Sequence, residues 1–206
     1  KDAEKRLLKS GEQSFRVFNV GAPQLDEMVK ENIPSIETTF NKLSVPLEKY
    51  ILCIYHPVTE EMQKSYKHMQ NLLKAVNELD HLKIWILPNN DAGSGQIRNS
   101  LLENRDSKSY VFDNLSRVDY LSILKNSIGI VGNSSSALLE APTYSIPALN
   151  IGRRQNKRVQ GKNVINCSNS YLDIKNGLNH IIKDSFRNKI KDESNPYGDG
   201  NSSERI

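Results

Sequence analysis

Ile128-Gly129-Ile130-Val131-Gly132-Asn133-Ser134-Ser135-Ser136-Ala137 reads as a short buried strand that turns sharply on a glycine and enters a helix. Gly132 lets the backbone turn tightly, and a serine is placed to cap the helix that starts near Ala137. The free N–H groups of a first helical turn point outward with the positive end of the dipole, and serine hydroxyls add donors, so the turn can cradle a phosphate. It can equally be an ordinary helix cap with spare serines. Its neighbours decide between the two.

Outward from this stretch the same unit repeats. Apolar strand-like runs occur at 50–55, 83–87, 109–112, 128–131, 148–151 and 163–166. Helical patterns lie between most of them, at 60–79, 96–103, 117–125 and 135–141, with a last helix at 171–183. The strands are short, continuously apolar and rich in Ile and Val, as in a parallel sheet buried on both faces. Strands alternating with helices predict an α/β fold with a doubly wound, Rossmann-like parallel sheet. Upstream, 1–9 reads as the end of a helix stopped by Ser10-Gly11, 16–20 as a short strand, and 24–31 as a helix. Pro34 and Pro46 bracket a polar connection that is a candidate interdomain boundary, and the tail 192–206 is polar and turn-rich.

The chain has 206 residues, 37% hydrophobic and 25% charged, which supports a packed core and argues against disorder. A net charge of +4 permits an anionic ligand but lacks the dense basic stripe of a nucleic-acid binder. Cys53 and Cys167 sit in apolar runs without CxxC spacing, so buried free thiols are expected, with no zinc site. The reading is cytoplasmic, with no membrane association: no apolar run reaches the roughly 20 residues of a span, and no signal peptide is visible. The first residue is Lys1, and a helix already in progress there reads as a piece of a longer protein.

In folds of this class ligands bind outside the carboxyl ends of the strands. After 50–55 comes His56-Pro57-Val58-Thr59; Pro57 biases His56 away from helix, at a strand tip where it can contact a phosphate, move a proton, or bond backbone. After 83–87 comes Pro88-Asn89-Asn90-Asp91-Ala92-Gly93, where Asn89 and Asp91 can bond a ligand or form an Asx-turn capping the next helix. Glu140, just beyond the serine turn, suits ribose hydroxyls, or is a solvent-facing helix residue. After 148–151 comes Gly152-Arg153-Arg154-Gln155-Asn156-Lys157-Arg158, whose cations suit a diphosphate or make a solvated basic loop. Each signal alone is weak; their joint placement after four different strands is much stronger.

These residues, in this order, resemble the hydrolysing UDP-N-acetylglucosamine 2-epimerases. The resemblance rests on His56-Pro57-Val58-Thr59, Pro88-Asn89-Asn90-Asp91-Ala92-Gly93, Gly132-Asn133-Ser134-Ser135 with Glu140, Pro147-Ala148-Leu149-Asn150-Ile151-Gly152, Arg154-Gln155, Gly161-Lys162-Asn163-Val164 and Tyr197-Gly198-Asp199-Gly200. It covers nearly the whole chain and is closest to the sialic-acid and legionaminic-acid branch. It implies the second domain of a GT-B-type two-domain fold. Residues 1–20 would then end the first domain, 21–49 form a hinge and connection, 50–185 form the UDP-binding domain, and 186–206 return toward the first domain. It implies that Ser134 and Ser135 hold the diphosphate, Glu140 the ribose and Arg154 the phosphates. By the same resemblance His56 and Asn89 would face the diphosphate and sugar, His56 in a catalytic role, Asp91 would also bind substrate, and the backbone near Leu115 would meet uracil.

The implied reaction eliminates UDP from the sugar and then hydrates the glycal, with no metal, nicotinamide or other cofactor. The implied partners are UDP, a UDP-amino sugar, the missing first domain and a second copy in a homodimer. Leu139 and the Asn156-Lys157-Arg158-Val159 loop depart from many relatives on the sugar side. They leave open a UDP-2,4-diacetamido-trideoxy sugar as substrate. A glycosyltransferase of the same build and a basic binding module acting through Arg153 to Arg158 are the competing classes.

Overall fold

The computed structural model describes residues 2–30 and 32–206. The expected helix start at Lys1 and helix end at Glu31 lie outside the described residues. In chain order the helices and strands are α1 (Asp2–Lys9), α2 (Gln24–Lys30), α3 (Ile36–Leu43), β1 (Tyr50–Ile54), α4 (Ser65–Asn77), β2 (Leu82–Ile86), α5 (Ser94–Asn104) and β3 (Ser109–Phe112). They continue as α6 (Arg117–Asn126), β4 (Ile130–Gly132), α7 (Ser136–Leu139), β5 (Ala148–Ile151), β6 (Val164–Cys167), α8 (Tyr171–Ile181), α9 (Asp184–Ile190) and α10 (Ser202–Arg205).

The strands pair throughout in parallel, in the order β3-β2-β1-β4-β5-β6. This is the doubly wound Rossmann-like order, and it reverses between β1 and β4. The continuous apolar strands still obey a period of two. Ile51 and Cys53 of β1 face a core built with Met69, Leu72 and Leu73 of α4, Ile97 of α5 and Leu178 of α8. Leu52 and Ile54 face the opposite core, with Met28 of α2, Phe40 of α3, Leu121 of α6 and Leu138 of α7. Full burial of each such side chain contributes about 1.5–3 kcal/mol, which holds helices on both faces.

The β1–β4 seam is unusually close. Gly132 pairs with Ile54, and a Cβ there would stand 1.9 Å from the Ile54 carbonyl oxygen. Its φ of 131° also disfavours any side chain, so only glycine lets β4 end against β1 in this register.

Several expected elements take other forms. The expected strand at 16–20 does not form: Arg16 ends a 3-10 helix, Ser14–Arg16, and no strand among the described residues pairs with 17–20, so a strand there would lack its ladder bonds. Phe15 and Phe18 on that segment are 73% and 78% exposed. The polar connection between Pro34 and Pro46 contains α3, which buries Phe40 and is capped by Ser35 accepting from the Thr38 N–H. The expected helix 60–79 breaks at Glu61, leaving 3-10 helix at Thr59–Lys64 before α4; the Glu61 carboxylate is held by Arg153 Nε at 2.7 Å. The expected helix 135–141 is only the single turn α7, followed by 3-10 helix at Ala141–Tyr144, because Pro142 cannot continue an α-helix. Helix 171–183 is not the last, since α9 and α10 follow. Cys53 is buried and Cys167 half-buried, both as free thiols. No helix among the described residues is long and apolar enough to cross a membrane.

Candidate functional site

The ends of β1 and β4 diverge into a cleft of about 450 Å³ at the point where strand order reverses. Loops after five strands supply its walls. His56 comes from the end of β1, Asn89 from β2, Leu115 from β3, Ser134, Ser135 and Glu140 from β4, and Arg154 from β5. Asp91 is the one expected residue outside the walls. It is exposed, but its charge reaches both His56 and Arg154. The turn after β2 is closed by the Ser94 hydroxyl donating to the Asn89 carbonyl, so the Asn89 side chain is not needed for the turn.

The serine turn differs in detail from the expectation. Ser135 is the N-cap of α7, but its side chain makes no capping bond; the Ser134 hydroxyl instead accepts from the Ser136 N–H at 3.3 Å. With four residues, α7 carries little dipole. The anion-binding capacity rests on local donors. The N–H groups of Ser134 and Ser135 have no partner among the described residues, and both residues are half-buried in the cleft wall. Arg154 lies beside them, with NH1 3.2 Å from the Asn133 carbonyl. Partial burial and the charge of Arg158 pull the Arg154 pKa down against the attraction of Asp91. An arginine does not lose its proton in practice, so Arg154 presents a fixed positive charge to the cleft.

His56 is buried, and its Nδ1 has no partner among the described residues. Burial first, then the Arg154 guanidinium, push its pKa down to about 4, with Asp91 opposing. At neutral pH the imidazole is therefore uncharged and free to accept a proton or a hydrogen bond.

Glu140 is not free as expected. Its Oε1 accepts from Arg117 NH1 at 2.5 Å, and its Oε2 accepts from the Ser136 hydroxyl at 2.5 Å and the Tyr120 hydroxyl at 3.3 Å. A carboxylate has about four lone-pair sites, so one more donor fits without displacement. Burial, with Glu140 adjacent, raises the Tyr120 pKa, so the phenol stays a donor. Arg117 also reaches Glu27 at 3.3 Å and so ties the cleft to α2.

Arg117 and Tyr120 are wall residues that the sequence reading missed. The available signal was positional: Arg117 opens α6, two residues after Leu115, behind the Ser116 cap that accepts from the Asp119 N–H. Their convergence on Glu140 has no signature in the sequence, because it depends on α6 and α7 lying side by side.

Sheet order and cleft together define a Rossmann-like α/β domain of the nucleotide-binding architecture. A family model described as UDP-N-acetylglucosamine 2-epimerase matches residues 1–206, and the chain belongs to that family of hydrolysing UDP-sugar 2-epimerases. It is 35% identical over 206 residues to the Legionella pneumophila UDP-N,N'-diacetylbacillosamine 2-epimerase (hydrolyzing), covering 98% of this chain and 53% of that protein. It is 34% identical over 160 residues to the UDP-N-acetylglucosamine 2-epimerase of Neisseria meningitidis serogroup B, covering 78% of this chain and 42% of that protein. The S. aureus MnaA–UDP co-structure shares the fold with a TM-score of 0.77 at 23% identity, over 100% of this chain and 55% of that one. The chain thus spans about half the length of the curated relatives it matches.

Proposed function

We propose that this chain is the C-terminal, UDP-binding domain of a hydrolysing UDP-N-acetylglucosamine 2-epimerase, which converts UDP-N-acetylglucosamine and water to N-acetylmannosamine and UDP. The core of that domain is 50–185. Residues 1–20 close the first domain, 21–49 form the hinge and connection, and 186–206 return toward the first domain. One observation carries the reading: the loops after five strands bring to one cleft, at the sheet's switch point, an uncharged histidine together with N–H donors and an arginine that have no partner or ion pair among the described residues.

In this reading the Ser134 and Ser135 N–H and hydroxyl groups and the Arg154 guanidinium hold the diphosphate. Glu140, oriented by Arg117, takes a ribose hydroxyl at its remaining site. The Leu115 backbone meets the uracil, and Asn89 faces the sugar. Asp91 acts at longer range, through its charge on His56 and Arg154. As the C1–O bond breaks, negative charge grows on UDP, and donors already aimed at its phosphates favour that step. His56, neutral and beside the phosphates, is placed to take or return a proton. The carboxylates that remove the C2 proton and complete the hydration come from the first domain.

Calorimetry of the chain with UDP and with uridine tests this. UDP should bind measurably and uridine far more weakly, since the site's donors address phosphate. Equal binding of the two, or none of UDP, would sink the reading. The chain alone should release no N-acetylmannosamine from UDP-N-acetylglucosamine.

A second substrate is favoured by one observation, the 35% identity to a diacetylbacillosamine epimerase over 98% of this chain. Comparing kcat/KM of the intact protein on the two UDP-sugars separates the readings.

A further inference from the structure

Asn133 sits directly behind the glycine of the β1–β4 seam and is fully buried. Its side-chain amide lies along the end of β1. Its Oδ1 accepts from the His56 backbone N–H at 2.7 Å, and its Nδ2 donates to the His56 carbonyl at 2.8 Å. One planar amide thus satisfies both main-chain groups of His56, as a neighbouring strand would. The Asn133 main chain is equally engaged. Its N–H donates to the Ile54 carbonyl at 3.1 Å, and its carbonyl accepts from Gln155 Nε2 at 2.8 Å and from Arg154 NH1 at 3.2 Å. Gln155 is itself only 1% exposed.

We propose that Asn133 is the positioning residue of the cleft: its amide sets the backbone of His56, and its carbonyl anchors Arg154 directly and through Gln155, so the two groups are held as one rigid unit. The inference deepens the UDP reading and rests on it. The chemistry requires asparagine. Both a donor and an acceptor must sit on one short planar group; aspartate lacks the donor, and serine lacks the reach to bond both groups at once. A shift of about 1 Å in a positioned group is enough to cost on the order of a hundredfold in rate, so a clamp on main chain has direct consequences for the imidazole. Pro57 leaves no N–H after His56, so Asn133 is the partner that holds this strand end.

The test uses the 206-residue chain with Asn133→Ala and Gln155→Leu, reading the His56 imidazole titration by NMR and UDP affinity by calorimetry. The charges facing His56 are Arg154 and Asp91, and both remain in each variant. In Asn133→Ala, water reaches the released strand end. The His56 midpoint should rise from about 4 by about one pH unit or more, and UDP affinity should fall about tenfold. In Gln155→Leu, affinity should fall while the His56 midpoint stays put. A loss of global stability alone does not move the titration of a folded imidazole. A folded Asn133→Ala chain with the parent titration and parent affinity overturns the proposal. If that variant does not fold, an unchanged UDP affinity in Gln155→Leu overturns it instead. A parent chain that binds no UDP overturns the functional reading and leaves the His56 titration to decide the positioning role.

Discussion

At the amino end of the strands, charges are closed within the chain. Lys83 of β2 has a side chain with 0% exposure, and its ammonium donates to the Leu79 carbonyl at 2.8 Å and to Asp106 at 2.6 Å. Asp106 in turn accepts from the Ser109 hydroxyl at 2.7 Å. At the carboxyl end, among the described residues, Arg154 has no ion pair, His56 Nδ1 is buried without a partner, and two N–H groups of the serine turn are unpartnered. The same sheet carries both ends with the same backbone geometry. A polar group buried for stability is satisfied by the chain itself, because an unpaired one costs free energy. A polar group that lines a ligand cleft, buried or not, can leave its last partner to the ligand.

The largest test of this contrast is at the amino end. Asp106→Ala leaves Lys83 buried without its counter-charge and should destabilise the fold by about 3–5 kcal/mol in urea unfolding. Lys83→Met, which removes the charge with its cavity filled, should cost much less. Equal costs would mean the pair is not a closed electrostatic unit. At the carboxyl end the pattern should invert. Arg154→Ala should change stability by under about 0.5 kcal/mol but weaken UDP binding by about 1.5–3 kcal/mol. Calorimetry and denaturant melts on the same sample decide it.

Next comes pH. Unfolded, the His56 imidazole titrates near 6.5; folded, it is pushed down to about 4. The folded state therefore binds fewer protons across that window, and stability present above pH 6.5 is lost as pH falls toward 4, by about 3 kcal/mol. In His56→Gln this part of the stability curve should flatten, and an unflattened curve would place the titration elsewhere. The smallest effect concerns strain. Lys157, in the basic loop after β5, holds φ at 66°, a left-handed conformation that suits glycine. Lys157→Gly should raise stability by about 0.5–1 kcal/mol, and a drop would mean the lysine side chain repays its strain through contacts.

The strands were legible because Ile, Leu and Val runs bounded by turns identify a buried parallel sheet whatever its order. Their ends were legible to within a residue or two, and with them the wall residues His56, Asn89, Ser134, Ser135, Glu140 and Arg154, whereas Leu115 came from the family resemblance alone. The expected strand at 16–20 failed because strand character needs a partner, which local sequence does not supply. The helix after the serine turn was read two residues too long at its end, because Pro142 disfavours the α conformation already at Ala141 before it. Arg117, Tyr120 and Asn133 escaped because nothing in their own neighbourhoods marks what they touch.

By itself the sequence determined the alternation of strands and helices, the parallel sheet, and which loops carry polar chemistry. These follow from local propensity and hydrophobic period, which act over a few residues. Only the tertiary structure decided that Glu140 is already held by Arg117, Tyr120 and Ser136, that Asp91 lies outside the wall, and that Asn133 bonds the His56 main chain across 77 positions of chain. Such bonds join side chains that meet only after β4 is laid beside β1. Their strength comes from burial that no short stretch of chain can provide.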